Sequence, residues 1–331
     1  MKTGIYLDLR NPPNWRRSWS RVYGFSLELC EEAEHLGVDS VWLSEHHLFD
    51  DGYLPQPLTF AAAIAARTNR INIGTAVLIA PIRHAVHIAE DAAVVDAISG
   101  GRLELGLGAG YRIPEFEAYG ADIDRRYDAT DDRVRRLREI WRNDQVLPSP
   151  TQNKIPIWLG YNGPRGARRA GLLGEGLLTI TPRLHEHYLG GLVDGGHQVD
   201  SGRMSGVINA FVTHDPERDW PLVAKHHAYQ WDSYRRHMVE GTRHEVPRPI
   251  DPDRSRASGL AERPDSLLYG SPGKVAEAIV EHTEGLPVET VFLWASPGAM
   301  DEAMTVRHVQ TICGELVPLL RKADRMGSRE H

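Results

Sequence analysis

The chain alternates short apolar runs with longer stretches whose apolar residues fall at helical spacing, and it does so eight times. The strand-like runs are residues 4–9, 40–43, 71–80, 103–107, 155–160, 177–181, 207–213 and 290–294. Between them, residues 21–36 place Val22, Phe25, Leu29, Ala33 and Leu36 on one helical stripe that stops at Gly37. Helices are also predicted over 57–68, 86–98, 131–141, 165–173, 216–237, 272–284 and 301–320. Ser271 before Pro272 is an N-cap with proline in the first turn. Eight βα repeats favour a closed parallel (β/α)8 TIM barrel, an α/β fold, over an open doubly wound sheet. Residues 144–154, 182–204 and 240–267 are rich in Pro, Gly, His and charge and fit the alternation poorly. The expectation is one domain, 1–331, with loop insertions near 111–124, 182–204 and 240–267.

Composition narrows the function classes. Apolar residues make up 41% and charged residues 25%, as in ordinary globular proteins. A net charge of −7 argues against nucleic acid as partner, because phosphate binding needs a basic field. The basic run 133–138 alternates with apolar residues and reads as one solvated helix face. Two distant cysteines, Cys30 and Cys313, give neither a disulfide framework nor a metal spacing. The first residues run into a strand without a leader pattern, and no apolar run nears the roughly 18 residues that span a membrane. The expected location is the cytoplasm, away from membranes.

Chemistry is expected at the C-terminal ends of barrel strands. Glu45, His46 and His47 follow the second strand at once, and histidine suits proton transfer near neutral pH. A hydrogen-bonded loop cluster and a metal site are the competing readings of such a trio. Further along, Gly160-Tyr161-Asn162-Gly163-Pro164-Arg165 leads from the fifth strand into a helix whose free amides suit an anion, with Arg165 and Arg126 as charged candidates. His185-Glu186-His187 lacks a zinc spacing, and Gly190-Gly191 beside it suggests a mobile loop, so no metal is expected. His226 and His227 are placed either at the barrel mouth or on the surface. No serine has a nucleophile-elbow context.

Several segments together resemble the bacterial luciferase-like flavin monooxygenases. They are GVDSVWLSEHH (37–47), the run 69–111, EFEAYG (115–120), RRYD (125–128), the run 156–178 and the run 269–294, with NPPNW and WDSY as shorter echoes. The resemblance implies FMN, used as FMNH2 from a separate flavin reductase, with O2 and a small organic substrate. It gives His46 general acid/base work, His47 a supporting role at the site or substrate, and Glu45 the orientation of an imidazole. It puts Ala76 and Val77, joined by a cis peptide, against the flavin. Gly108 and Ala109 would give close backbone approach, and Gly160, Tyr161, Asn162, Gly163, Arg165 and Arg126 would hold the phosphate. Gly108 and Ala109 stand where luciferase has a cysteine and an arginine, and Arg112 is a candidate replacement for the arginine. A homodimer through the second and third barrel helices is implied too. Two other functions are compatible: a deazaflavin-dependent dehydrogenase or reductase on the same barrel, and a flavin-binding protein without turnover.

Overall fold

The computed structural model of the chain describes residues 1–257, 260 and 265–327. It opens with β1 (Lys2–Leu7), α1 (Trp19–His35), β2 (Ser40–Leu43) and α2 (Pro57–Arg67). A third barrel strand follows in two pieces, β3 (Asn72–Thr75) and β4 (Leu78–Ile79), then α3 (Ala85–Ser99) and β5 (Leu103–Gly108). Next come α4 (Ile113–Tyr119), α5 (Arg126–Arg142), β6 (Ile157–Leu159), α6 (Gly163–Leu172), β7 (Gly176–Leu177), α7 (His185–Asp194) and β8 (Met204–Ile208). The remainder is β9 (Ala210–Val212), α8 (Pro216–Val239), α9 (Pro252–Ser255), β10 (Arg256–Ala257), β11 (Leu267–Gly270), α10 (Pro272–Thr283), β12 (Val288–Trp294), α11 (Glu302–Thr311) and α12 (Val317–Gly327). A π-helical turn over Ile312–Leu316 joins the last two helices. No described helix is long and apolar enough to cross a membrane.

Parallel pairing runs β1–β2–β3–β5–β6–β7–β8–β12 and returns from β12 to β1, with β4 also on β5. This closes an eight-position barrel, as the eightfold alternation predicted. Local chemistry sets the boundaries. The Ser18 side chain accepts from the Arg21 amide to start α1, and Gly37, at φ 89°, turns the chain out of it. Ser271 accepts from the Lys274 amide at the start of α10, as expected. The barrel interior is filled by an aromatic stack. Trp42 lies on Phe292 at 4.5 Å between centroids, Phe292 meets Tyr6 edge-on at 5.4 Å, and Tyr6 lies on Trp294 at 4.1 Å. These large rings bury much apolar area for few fixed torsions.

The structure departs from the sequence reading in three places. The third strand is not continuous over 71–80: the Ala76–Val77 peptide is cis, and the break separates β3 from β4. The seventh strand is not one run over 207–213. It leaves the barrel after Ile208, and β9 pairs instead with β11, which pairs with β10, in a separate three-stranded parallel sheet. Residues 182–204 are not an insertion, because α7 supplies the helix of the sixth βα repeat. Of the two glycines that suggested a mobile loop, Gly191 permits close helix contact instead, as does Gly171 on α6. A Cβ at Gly191 would stand 2.2 Å from the Arg168 carbonyl oxygen, and one at Gly171 would stand 2.2 Å from that of Tyr188. Of the other expected insertions, 111–124 contains α4 and 240–267 contains α9 and β10. Residues 258, 259 and 261–264 of the latter, and residues 328–331 at the end of the expected domain, lie outside the described residues.

Val77 explains two more glycines. A Cβ at Gly108 would stand 2.2 Å from Val77 Cγ2, and one at Gly160 would stand 2.4 Å from Val77 Cγ1. Gly108 was expected to give close backbone approach to a flavin and Gly160 to help hold its phosphate; the space beside each is filled by the valine. Gly108→Ala is therefore expected to lower stability by about 1–3 kcal/mol, the usual range for overpacking. Adding Val77→Ala should recover most of that loss. Urea unfolding of the two single variants and the double variant checks it, and strictly additive losses would contradict the contact.

Candidate active site

β1 ends at Leu7 and β2 at Leu43, so Asp8, Arg10 and residues 44–54 emerge together at the C-terminal mouth of the barrel. Arg10 is fully buried. Its Nη1 donates to Asp8 Oδ2 at 2.8 Å, and its Nε stands 3.3 Å from Asp51 Oδ2. Its guanidinium also lies 4.0 Å from the Tyr53 ring centroid and 4.3 Å from that of Tyr234. Burial opposes the charge, but Asp8 and its neighbours hold the Arg10 pKa well above its ordinary value, so it stays cationic. Both carboxylates extend the contact to α8. Asp51 Oδ2 accepts from Tyr229 Oη at 3.0 Å and Ser233 Oγ at 3.1 Å, and Asp8 Oδ2 accepts from Gln230 Nε2 at 3.0 Å. One buried charge cluster thus fastens the loop after β1, the loop after β2 and the long helix α8 to one another.

His46 sits against this cluster inside an aromatic box. Its ring stacks on Tyr53 at 4.5 Å and meets Phe49 at 4.8 Å, Tyr234 at 5.4 Å and Tyr111 at 6.2 Å. Its Nδ1 is buried without a hydrogen-bond partner among the described residues. Burial, and then the Arg10 guanidinium, hold the imidazole pKa well below the usual histidine range. The ring is neutral at physiological pH and keeps a lone pair in a dry, preorganised setting.

His47 and Glu45 serve a different network. His47 Nε2 donates to Glu45 Oε1 at 2.6 Å, and its Nδ1 pairs with Tyr119 Oη at 3.0 Å. Glu45 further accepts from the Ile79 amide at 2.5 Å and from Arg83 Nη2 at 2.5 Å. Glu45 therefore orients His47 and ties the loop to β4; it makes no bond to His46. The backbone amide of His47 donates to Glu115 Oε1 at 2.8 Å, while Glu115 Oε2 is buried without a hydrogen-bond partner among the described residues. Desolvation pushes the Glu115 carboxyl up to about 7.

A cavity of about 770 Å³ opens beside the box, lined by Tyr6, Tyr111, Asn162, Trp231, Tyr234 and Trp294 among others. Its size lies within the roughly 300–1,000 Å³ typical of ligand sites. His46 is not on its wall, but Tyr111 and Tyr234 touch both the imidazole and the cavity.

The other expected cofactor residues do not all converge. Ala76 and Val77 are partly exposed, and the Tyr6 hydroxyl donates to the Ala76 carbonyl. Asn162 lines the cavity and caps α6 without using its side chain, and Gly163, at φ 77°, turns the chain into that helix. Arg165 is exposed on the first turn of α6. The Tyr161 side chain is committed elsewhere: it is buried in the main core and donates to Asp131 Oδ1 at 2.6 Å, fixing α5. Ala109 is buried beside Gly108. Arg126 lies off the cavity wall, with Nη1 donating to the Ile123 carbonyl at 2.9 Å and Nε buried without a partner. Arg112, the candidate for the missing arginine, has its side chain engaged away from the cavity wall. Its guanidinium donates to the His47 carbonyl at 2.7 Å and to Glu240 Oε2 at 2.7 Å, clamping the histidine loop. His226 and His227 are both buried, bonded to the carbonyls of Gly298 and Asp265. No group of metal-ligating side chains occurs among the described residues. Arg10, Asp51, Tyr53, Tyr234 and Glu115 were missed as site residues, although Asp8-Leu9-Arg10 follows β1 just as Glu45-His46-His47 follows β2.

Comparisons with known proteins agree with the barrel fold. The profile of the family described as luciferase-like monooxygenase matches residues 1–290. An F420-dependent glucose-6-phosphate dehydrogenase of Amycolatopsis mediterranei is 29% identical over 182 residues, 49% of this chain and 55% of that protein. The oxygenase component of a flavin-dependent trigonelline monooxygenase of Acinetobacter baylyi is 27% identical over 165 residues, 45% of this chain and 46% of that protein. The chain thus spans about half the length of these curated relatives. Among solved structures, the monooxygenase RslO1 from Streptomyces bottropensis superposes with a TM-score of 0.78 at 25% identity, covering 96% of this chain and 99% of that one.

The Glu115 environment gives a pH test. Between its ordinary value of 4.5 and about 7, the folded chain binds a proton that the unfolded chain has released. Its stabilising contribution is complete below the lower value and is lost as pH rises through the upper one. Glu115→Gln stays neutral and keeps an oxygen for the His47 amide. Wild-type urea midpoints should fall relative to those of Glu115→Gln across this window; parallel profiles would contradict the assignment.

Proposed function

The chain belongs to the luciferase-like monooxygenase family, and from that premise we propose that it is a flavin-dependent monooxygenase taking FMNH2 from a separate reductase and using O2 to oxygenate a small organic substrate. The observation that carries the proposal is His46: a neutral imidazole boxed by four aromatic rings, one ring removed from the cavity. Bound reduced flavin supplies the electrons that activate O2. The chain supplies the setting. Its aromatic walls exclude water, and the neutral imidazole is the group proposed to take up or return a proton. Arg10 favours that neutral state by charge repulsion. Asn162, Gly163 and Arg165, at the open start of α6, are the groups that fit a flavin phosphate.

The curated relatives supply a second reading, hydride transfer with the deazaflavin F420, since the Amycolatopsis protein is F420-dependent. Binding of flavin without turnover is a third. The whole chain, 1–331, is proposed to act as one barrel domain. Exposed Val94 and Ile98 on α3 support a homodimer through α2 and α3.

The test is a side-by-side anaerobic titration of the purified protein with FMN, reduced FMN, F420 and reduced F420, followed by admission of oxygen. Reduced FMN is expected to bind most tightly, with oxygen then consumed. His46→Ala should bind reduced FMN with unchanged affinity and lose roughly 10²–10⁴-fold in turnover once a substrate is in hand. Preference for F420 with no response to oxygen would sink the monooxygenase reading.

A further inference from the structure

A second pocket, of about 390 Å³, opens between the 3-10 turn Ala80–Ile82, the end of α4 and the first turns of α5. It shares no lining residue with the cavity beside His46. Three arginines, Arg83, Arg125 and Arg133, line it together with His84. Ile79, Ile82 and Phe116 form a small buried cluster that fixes these segments against Ala121 and Ile123.

The charge of these arginines is only partly used within the chain. Arg133 Nε donates to the Arg83 carbonyl at 2.7 Å, and its two terminal nitrogens have no acceptor among the described residues. The exposed Arg125 side chain makes no hydrogen bond or ion pair among the described residues; Asp128, the carboxylate it influences, is bonded to Arg169. Arg83 gives Nη2 to Glu45 and Gln56, which leaves Nη1 without an acceptor among the described residues. Two carboxylates share the lining, but Asp132 pairs with Arg135 at 3.1 Å and Asp122 accepts from the Asp124 amide at 2.9 Å. Gathering three guanidinium groups around one space costs repulsion that an anion relieves, and their planar donors match a phosphate.

Two lining residues lead inward to the histidine loop. Arg83 Nη2 donates to Glu45 Oε1 at 2.5 Å, and the same oxygen pairs with His47 Nε2 at 2.6 Å. Tyr119 is 43% exposed, and its hydroxyl meets His47 Nδ1 at 3.0 Å. Both ring nitrogens of His47 are thus tied to the pocket wall, one through Tyr119 and the other through Glu45 and Arg83.

Beyond the flavin reading, and independently of it, we infer that this pocket binds a phosphate group, free or on a small organic molecule, and that its occupancy is felt at His47. The anion lies among the free nitrogens of Arg125, Arg133 and Arg83. It draws on the guanidinium that otherwise neutralises Glu45, and the linkage is reciprocal: a change in the Glu45–His47 pair alters the anion's affinity by the same factor. The volume falls within the range of small-molecule sites, so an organic phosphate with a hydroxyl for Asp122 has room.

The test is a nuclear magnetic resonance titration of ring-labelled histidine in the purified protein, at fixed pH and with ionic strength held constant by sodium chloride. His47 is assigned by the loss of its signals in His47→Gln. The probes are inorganic phosphate and, separately, glycerol 3-phosphate. The His47 ring signals should move saturably, and the probe with the lower midpoint identifies the source as the free ion or an organic phosphate. Arg125→Gln/Arg133→Gln should raise that midpoint at least about tenfold, the weight of one hydrogen bond to a charged group. Arg125→Gln alone, at a position no contact holds, should raise it in the same direction. Arg165→Gln, at the start of α6, should leave it unchanged. The inference is overturned if neither probe moves His47 saturably, if the midpoint is the same in both Arg125 variants as in the wild type, or if Arg165→Gln removes the response. None of these results depends on FMN binding, which the anaerobic titration decides separately.

Discussion

A single buried guanidinium organises the mouth of this barrel. Arg10 leaves the end of β1, enters a space with no solvent contact and meets two carboxylates and two tyrosine rings. Removing one partner of such a buried pair typically costs about 3–5 kcal/mol, because the remaining charge is left without compensation. The arrangement survives because every member is also held by another element: Asp51 by Tyr229 and Ser233 of α8, Asp8 by Gln230 of the same helix. The consequence reaches the chemistry directly. The charge that fastens α8 and the histidine loop also disfavours a second positive charge on His46. One ion thus shapes both the packing of the mouth and the protonation state of His46.

Around that cluster the molecule is a set of packed rings. The barrel interior carries Trp42, Phe292, Tyr6 and Trp294 in contact, and Tyr6 and Trp294 pass from the interior stack to the cavity wall. Tyr6 also bonds the Ala76 carbonyl where the third strand is interrupted. A substrate entering the cavity therefore meets surfaces continuous with the core, which resist deformation.

The barrel was legible in the sequence because its signals are local. Apolar runs between helical stripes, Gly37 and Ser271 at helix ends, and a change of period every twenty or so residues each rest on nearby residues. What failed were features whose cause lies elsewhere in the chain. Gly190 and Gly191 read as a loop, but Gly191 fits α7 against Arg168 on a different helix. Gly108 read as close approach to a flavin and Gly160 as part of a phosphate cradle, but both make way for Val77. Tyr161 and Arg112 read as cofactor groups and prove to be braces for α5 and for the histidine loop. The histidine trio was singled out because position after a strand marks it, yet its internal bonding was not visible: Glu45 bonds His47, and His46 is shifted by burial and then by Arg10 from another strand. The same rule applied to Asp8-Leu9-Arg10 would have flagged the missing partner.

The account turns on His46 being held neutral by burial and by Arg10. Nuclear magnetic resonance of ring-labelled histidine, with the His46 signal assigned by its disappearance in His46→Gln, measures this directly through a pH titration of the folded protein. The predicted result is an imidazole that shows no protonation step near the usual value of about 6.5 and begins to titrate only well below it. A midpoint at or above that value would contradict the claim, because the ring would then be solvated or paired with a negative charge.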